Sequence, residues 1–194
     1  MRTPGTMRAL ALLSAAALAT SLSAACGGGR RARGPAPSAT TGSSSVGSTA
    51  RAEMRDTEGR SLGTVTLSQT PHGVLIVGDL SNLPPGTHAL HFHETGRCDS
   101  PFTSAGGHYN PTQRTHGFKS AGGHHAGDLN NFSAGANGAA HIDQLSDNVT
   151  LSTGPGSLFD VDGTALVIHS GPDDYSTDPA GGSGNRIACG IVAR

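Results

Sequence analysis

The sequence predicts an all-β domain, a sandwich or a barrel, that carries two long loops. Short apolar or alternating runs recur along residues 51–194, and none of them sustains a helical period. Gly is abundant at 29 residues whereas aromatic residues make up only 4%, a composition typical of tight turns and short strands. Two Gly-rich polar stretches, residues 94–128 and 170–186, interrupt the runs. Stretches of this length in a compact domain usually carry function, so we predict that they are functional loops.

Each predicted strand is a short run bounded by residues that favour turns. The connection SNLPPG at residues 81–86, for example, has the Asn, Pro and Gly expected between strands. The predicted strands cover residues 62–67, 74–80, 88–93, 139–145, 149–151, 164–169 and 187–192.

The N-terminal segment, residues 1–25, has the pattern of an export signal. Two Arg precede an apolar run at residues 9–19, which is too short to span a membrane. The signal ends in SAACG at residues 23–27, which resembles the lipobox of bacterial lipoproteins. We therefore predict cleavage before Cys26 and lipidation of its thiol, so that the protein contacts a membrane only through a lipid anchor. Cleavage at the same place with an unmodified cysteine is the alternative.

The rest of the chain divides into a tether and one domain. Residues 26–50 follow the signal and are rich in Gly, Ser, Ala, Pro and Arg, with almost nothing apolar to bury, which predicts a flexible linker. Residues 51–194 have the length of a single domain. We expect this domain to work outside the cytoplasm, in the periplasm or cell envelope.

The three cysteines are consistent with export. An odd number in an exported protein requires an explanation. Lipidation of Cys26 would leave Cys98 and Cys189 to form a disulfide in an oxidising compartment. Two free thiols are the alternative.

Charge and histidine content point away from nucleic acid and toward metal. The formal net charge of -1 provides no basic field to attract nucleic acid as a general partner. Most of the ten His lie between His88 and His141. A cluster of this kind predicts metal binding.

His91 and His93 form the first candidate group of ligands. Residues i and i+2 of a strand lie on one face, so both imidazoles should point the same way, toward the outer face. Leu90 and Phe92 should point the other way, into a core. Such a pair forms half of a site for a transition metal, although an H-x-H pattern alone is a weak signal.

The loop that follows supplies the second group. His108, His116, His125 and Asp128 lie close together in one Gly-rich stretch. Zinc favours four tetrahedral N, S or O ligands, and three imidazoles with one carboxylate would satisfy it. His169, at the end of a predicted strand, completes the set of candidate ligands.

These residues fall into motifs that resemble the copper–zinc superoxide dismutase family. The resemblance covers residues 51–194, with the motifs in the family order and at family spacings. They are G-x-H-x-x-H-x-H at residues 86–93, GGHYNP at 106–111, HG at 116–117, HAGDL at 125–129, H-x-x-x-DD at 169–174 and GNRIACG at 184–190.

The resemblance implies a Greek-key β-barrel of the immunoglobulin-like sandwich class. It also implies conversion of superoxide into O2 and H2O2 by alternate reduction and reoxidation of copper. The implied copper ligands are His91, His93, His108 and His169. The implied zinc ligands are His108, His116, His125 and Asp128.

Further roles follow from the same resemblance. Arg186 would guide the superoxide anion to copper, and His108 would bridge the two metals and supply a proton. Asp173 would link a copper-side imidazole to a zinc-side one. A disulfide between Cys98 and Cys189 would attach the first loop to the barrel. His88 matches a structural histidine, which we expect to be hydrogen-bonded rather than metal-bound.

Two other functions and the oligomeric state stay open at this level. A non-catalytic copper or zinc carrier would need the ligands but neither Arg186 nor Asp173. A zinc hydrolase would need an open position on zinc, which four protein ligands would fill. The second loop lacks the acidic and Lys-rich segment of the eukaryotic enzymes, so their charge steering and dimer interface do not transfer. The sequence therefore does not decide between a monomer and a homodimer.

Overall fold

The computed structural model describes residues 47–194. The predicted signal peptide, Cys26 and the tether up to residue 46 lie outside the described residues. Within the described range the fold is all-β, as predicted, and no helix there is long and apolar enough to cross a membrane. The strands are β1 (Thr49–Asp56), β2 (Ser61–Thr70), β3 (Gly73–Leu80), β4 (Gly86–His88), β5 (Leu90–His93), β6 (Phe132–Ala134), β7 (Ala140–Ser146), β8 (Ala165–His169) and β9 (Arg186–Ala193).

The strands form an antiparallel sheet with long-range connections. Seven strands pair in the order β5-β8-β9-β1-β2-β3-β7, and β4 pairs with β6 separately. β5 therefore lies beside β8, although β6, β7 and both of their flanking loops separate the two strands in the chain. This pairing places the histidines of β5 next to β8, which ends at His169.

The core forms from the inward residues of these strands. β1 alternates between exposed and buried positions, as expected for a strand with one face on a core. Met54, Leu67, Ile76, Phe92 and Ile168 are all fully buried in one cluster. Burying each such side chain stabilises the fold by about 1.5–3 kcal/mol.

Several strand predictions are wrong. No strand was predicted at β1 (Thr49–Asp56), where Ala50 pairs with Leu67 and is buried. The predicted strand at residues 88–93 is split at Ala89, whose N–H donates to the carbonyl of Gly171 in the second loop. Residues 149–151 do not form a strand, and Thr150 makes only an isolated bridge.

The first loop, residues 94–131, folds back along β5. The N–H of Phe92 donates to the carbonyl of Gly127 (2.9 Å), and the N–H of Tyr109 donates to the carbonyl of Phe92 (2.8 Å). A Cβ on Gly127 would clash with the Phe92 carbonyl oxygen, so the close approach requires Gly. Isolated bridges join β5 to Asp128 and His108. The loop thereby brings its candidate ligands to the histidines of β5.

Candidate metal centre

The two histidines of β5 are covered rather than exposed. His91 and His93 are both 0% exposed, whereas the alternation pattern predicts that they lie on an outer face. The strand does turn Phe92 toward the core, but the first loop covers the opposite face and buries both imidazoles. Burial matters because it removes water that would compete for the ring nitrogens.

Two groups of candidate ligands share this buried region. In each group the ligand atoms lie within 4.8 Å of one another, and every member is buried. One group contains four imidazoles, and the other three imidazoles and a carboxylate. The first comprises His91, His93, His108 and His169, and the second His108, His116, His125 and Asp128.

His108 belongs to both groups because its two ring nitrogens face different neighbours. Its Nδ1 lies 2.9 Å from Oδ1 of Asp128 and 3.4 Å from Nδ1 of His125. Its Nε2 is buried and has no hydrogen-bond partner among the described residues. The ring centroid of His108 lies 4.0 Å from that of His91 and 5.0 Å from that of His93.

Hydrogen bonds on the outer side of the first group leave lone pairs directed inward. The Nδ1–H of His93 donates to the carbonyl of Gly106 (3.1 Å), because a carbonyl oxygen can only accept. The Nε2 of His93 then carries a lone pair, and it lies 3.4 Å from Nε2 of His169. His91 donates from Nε2 to Asp173, which leaves its Nδ1 with a lone pair and no partner in the described structure.

This donor set fits copper and zinc. A buried polar atom without a partner costs about 1–3 kcal/mol, and both His91 Nδ1 and His108 Nε2 are such atoms. A metal ion between the inward lone pairs would satisfy them. Imidazole ligands suit copper, and three imidazoles with one carboxylate suit tetrahedral zinc.

Asp173 connects the two groups from outside. Its Oδ2 accepts a hydrogen bond from Nε2 of His91 (2.9 Å), and its Oδ1 accepts one from Nε2 of His116 (3.0 Å). The carboxylate is buried against Gly181, where a Cβ would clash with Oδ1 of Asp173. A carboxylate in this position fixes both imidazole rings.

Burial keeps the imidazoles of the first group neutral. Burial, and after it repulsion from the nearby His108 and Arg186 when these carry charge, lowers the pKa of His93 well below its usual value. Burial likewise lowers the pKa of His108 to about 4 and that of His169 to about 3. Neutral imidazoles are the form that binds metal, so this half of the centre is ready for metal at neutral pH.

Around the second group, two buried carboxylates determine the protonation state of the neighbouring imidazole. Burial opposes ionisation of Asp128 and Asp173, but hydrogen bonds from the surrounding imidazoles hold the pKa of both carboxyls far below the usual range. Burial also lowers the pKa of His116, yet its hydrogen bonds to both carboxylates outweigh this and raise it to about 9. His116 therefore carries a proton at neutral pH when no metal is bound.

Arg186 lies beside the first group at the start of β9. Its guanidinium donates to the carbonyls of Phe102 and Gly106, both at 2.6 Å. It is half-buried, and its charge contributes to the lowered pKa values of His93 and His169. The Gly106 carbonyl oxygen thus accepts hydrogen bonds from both Arg186 and His93. This shared acceptor fixes the position of the guanidinium relative to a candidate ligand.

The disulfide and two further histidines, His88 and His141, lie outside the two groups of candidate ligands. Cys98 and Cys189 form the predicted disulfide, with Cα atoms 5.7 Å apart, which joins the first loop to β9. His88 is buried and hydrogen-bonded to the carbonyls of His169 and Pro84, as expected of a structural residue. His141 is exposed and pairs with Asp79.

Three residues around this centre carry no recognisable signal in the sequence. Asp178 accepts a hydrogen bond from the N–H of His116, and Asn131 and Tyr175 surround Asp173. All three are common polar residues in loops or at loop ends, so nothing in their type or spacing distinguishes them. The one available signal is that Asp178 and Tyr175 lie in the second loop, which the sequence predicts to be functional.

Comparison with known proteins identifies the family. Residues 61–192 match the family described as copper/zinc superoxide dismutase (SODC). The chain is 49% identical over 144 residues to Cu-Zn superoxide dismutase 1 of Aquifex aeolicus, covering 73% of this chain and 85% of that protein. It is 43% identical over 147 residues to the Cu-Zn superoxide dismutase of Caulobacter vibrioides, covering 74% and 84%.

Solved structures agree with these matches. The chain is similar to a SOD-like protein from Bacillus subtilis, with a TM-score of 0.70, 36% identity and coverage of 73% of this chain and 96% of that one. It is also similar to the Cu/Zn superoxide dismutase from Brucella abortus, with a TM-score of 0.61, 30% identity and coverage of 74% and 99%. The long sequence match, the shared fold and a donor set that suits both metals lead to one conclusion: the chain belongs to the copper/zinc superoxide dismutase family.

Proposed function

We propose an assignment of residues to the superoxide dismutase activity of this protein. The protein is an oxidoreductase that converts superoxide into O2 and H2O2, with copper and zinc as cofactors. In our assignment His91, His93, His108 and His169 hold copper. His108, His116, His125 and Asp128 hold zinc.

The position of His108 is the observation on which this assignment rests. Its Nδ1 faces Asp128 and His125, whereas its Nε2 lies buried and unpartnered within the described structure, near His91 and His93. One imidazole with nitrogens in two donor groups favours a two-metal centre over two independent sites.

The protein residues have distinct tasks around the metals. Bound copper supplies the one-electron reduction and reoxidation on which dismutation depends, whereas zinc is redox-silent. Two superoxide anions and two protons yield one O2 and one H2O2. We assign one of these protons to Nε2 of His108, which can hold it whenever that nitrogen is free of metal. Asp173 keeps the rings of His91 and His116 oriented.

Arg186 is our candidate for the group that attracts the substrate. Superoxide is a monoanion, and a guanidinium retains its charge at any physiological pH. The two carbonyls that hold Arg186 fix this charge beside the first donor group. A fixed cation at this place would raise the encounter rate and hold the anion for electron transfer.

We also propose that the enzyme works outside the cytoplasm and is held to a membrane by lipid on Cys26. The signal pattern of residues 1–25 supports export, and the segment that follows Cys26 would serve as the linker to the catalytic domain, whose first strand begins at Thr49. The disulfide between Cys98 and Cys189 supports an oxidising compartment.

Metal analysis of purified variants tests the assignment. The wild-type protein should contain one copper and one zinc, give a copper electron paramagnetic resonance signal and consume superoxide. His93→Ala should lose mainly copper and His125→Ala mainly zinc, since each belongs to one group only. His141→Ala is the matched control, since this exposed histidine lies outside both groups.

The outcomes separate the proposal from its rivals. Two metals without turnover would indicate a carrier, and zinc alone without turnover would contradict the copper site. Equal loss of both metals from His93→Ala and His125→Ala would contradict the division into two groups.

A further inference from the structure

The orientation of Asp173 depends on groups that do not contact either donor group. Each of its carboxylate oxygens meets a different imidazole, so a rotation of the side chain would break at least one of the two hydrogen bonds. Asp173 lies on the second loop, among polar residues. Something must therefore hold this stretch of loop in place.

The side chain of Asn131 holds the main chain of Asp173 on both sides. The N–H of Asp173 donates to Oδ1 of Asn131 (2.9 Å), and Nδ2 of Asn131 donates to the carbonyl of Asp173 (2.8 Å). Asn131 directly precedes β6, so its backbone is anchored to a strand. Two opposed hydrogen bonds from one amide restrain both peptide planes that flank the Cα of Asp173.

Tyr175 closes the network from the other side. Its hydroxyl oxygen accepts a hydrogen bond from the N–H of Asn131 (2.7 Å), and its own N–H donates to Oδ1 of Asp173 (2.6 Å). Its carbonyl accepts from the N–H of Lys119 in the first loop (2.9 Å). Tyr175 adopts a φ of 63°, a conformation that costs energy for a residue other than Gly and that persists only where the surroundings require it.

We propose that Asn131 and Tyr175 are positioning residues that set the orientation of Asp173, and through it the ring orientation of His91 and His116. We call these two residues the Asp173 clamp. The inference rests on the proposed function, because it assigns the clamp to the ligands of that centre. The clamp acts on one ligand from each donor group, so its loss affects both groups together.

Nuclear magnetic resonance of the protein loaded with Cu(I) and zinc tests the clamp, because both ions are diamagnetic. The Nε2–H protons of His91 and His116, which donate to Asp173, give the readout. Their exchange with solvent should be faster in Asn131→Ala and in Tyr175→Phe than in the wild-type protein. Metal affinity should also fall about tenfold or more, since removing such an outer partner typically weakens a metal site 10–100-fold. Tyr175→Phe removes only the hydroxyl, so it probes the clamp with the fold intact.

Asn130→Ala is the matched control. Asn130 is exposed, precedes Asn131 in sequence, and forms hydrogen bonds to the described residues only through its backbone. Its replacement should leave both exchange rates unchanged. Acceleration of the same size in Asn130→Ala would overturn the clamp, because it would reflect general loosening of this segment.

A second comparison shows whether the clamp acts through Asp173. In an Asp173→Ala background, adding Asn131→Ala should produce no further release of zinc or copper to a chelator. Additional release in the double variant, or unchanged exchange in both clamp variants, would overturn the inference. Failure of the wild-type protein to bind both metals would instead overturn the proposed function, so the two failures are distinguishable.

Discussion

At the residue scale, charges in the centre are unequally distributed when no metal is bound. The imidazoles of His93, His108 and His169 are neutral because burial lowers their pKa values. Asp128 and Asp173 are ionised, and His116 between them is protonated on both ring nitrogens and positively charged. One half of the centre can thus accept metal directly, whereas the other half has to release a proton first.

This difference predicts how zinc uptake by the metal-free protein depends on pH. Zinc would displace the proton from Nδ1 of His116, whose pKa is about 9. Zinc affinity should therefore rise about tenfold per pH unit between pH 7 and pH 9, through the coupling of metal binding to deprotonation. Zinc titrations against a competing chelator at several pH values measure this dependence. An affinity that stays flat over this range would contradict the proton on His116.

The same proton stabilises the metal-free fold in a defined range of pH. The folded-state pKa of His116 lies above its value of 6.5 in an unfolded chain. Its contribution to the free energy of unfolding is therefore complete below about pH 6.5 and is lost as the pH rises through about 9. Urea unfolding of the metal-free protein between pH 6.5 and pH 10 provides an independent check.

Arg186 gives a second prediction at this scale. Arg186→Ile should leave copper and zinc bound, because each proposed ligand remains. Turnover of superoxide should nevertheless fall about tenfold at low salt, since a fixed cation beside the reacting site attracts the anion. The remaining rate should depend less on ionic strength, because part of the attraction that salt screens has been removed.

The control for this prediction is Arg97→Ile. Arg97 is an exposed cation of the first loop that pairs with Asp99, so its removal changes net charge equally without altering the centre. Turnover and metal content are measured for both variants across a range of salt concentrations. Equal turnover of Arg186→Ile and the wild-type protein, with metals intact, would remove Arg186 from the mechanism.

At the element scale, the first loop carries four of the seven proposed ligands. The position of this loop depends on its attachments to the sheet. Its middle pairs with β5, and its beginning is joined to β9 through Cys98 and Cys189. The same loop provides the carbonyls of Phe102 and Gly106 that hold Arg186. Displacement of this loop would therefore disturb the ligands and the cation together.

Removing the disulfide should reveal this dependence. Cys189→Ser opens a bond between residues 91 positions apart, which typically lowers the free energy of unfolding by about 2–5 kcal/mol in small exported domains. We expect metal to be lost from the variant more readily, at temperatures where circular dichroism shows that the strands persist. Thermal unfolding and metal content measure the two effects.

The matched comparison is the double variant Cys98→Ser with Cys189→Ser. Both variants remove the same bond, so they should lose stability and metal to a similar extent. An unchanged melting temperature and metal content in Cys189→Ser would show that the bond contributes nothing to the centre.

At the scale of the whole molecule, the catalytic domain and its proposed anchor are separate parts of one chain. The described structure starts at Gly47, whose N–H donates to the carbonyl of Gln69, and strand pairing continues from there. The proposed lipid site at Cys26 precedes it, and the sequence between them is rich in Gly, Ser and Ala.

Cys26→Ser tests the anchor in cells. The exported protein should move from the membrane fraction to the soluble fraction, because serine has no thiol to carry lipid. Superoxide turnover per molecule should stay the same, since Cys26 lies outside the catalytic domain. Ser38→Ala, in the same tether, should leave the protein with the membrane. A wild-type protein already soluble after export would contradict lipidation.

The sequence alone determined the fold class and the candidate ligands. Alternating runs such as that of β3 are recognisable because a strand with one face on the core repeats every two residues. His91 and His93 could be placed on one face of a strand by the same local rule. The ligands of the first loop followed from their residue types and from the family motifs.

Only the tertiary structure decided which partners these residues meet. The family motifs indicated that Asp173 links two imidazoles, and the structure identifies them as those of His91 and His116, 82 and 57 positions away in the chain. The contact between Asn131 and Asp173, which joins positions 42 apart, was not indicated by any motif. No periodicity connects such residues, so local patterns could not reveal the clamp or predict that the first loop buries β5. The sequence therefore determined which groups are available, because residue type and strand period are local. Tertiary packing determined which nitrogen faces which neighbour, because orientation depends on contacts between distant segments.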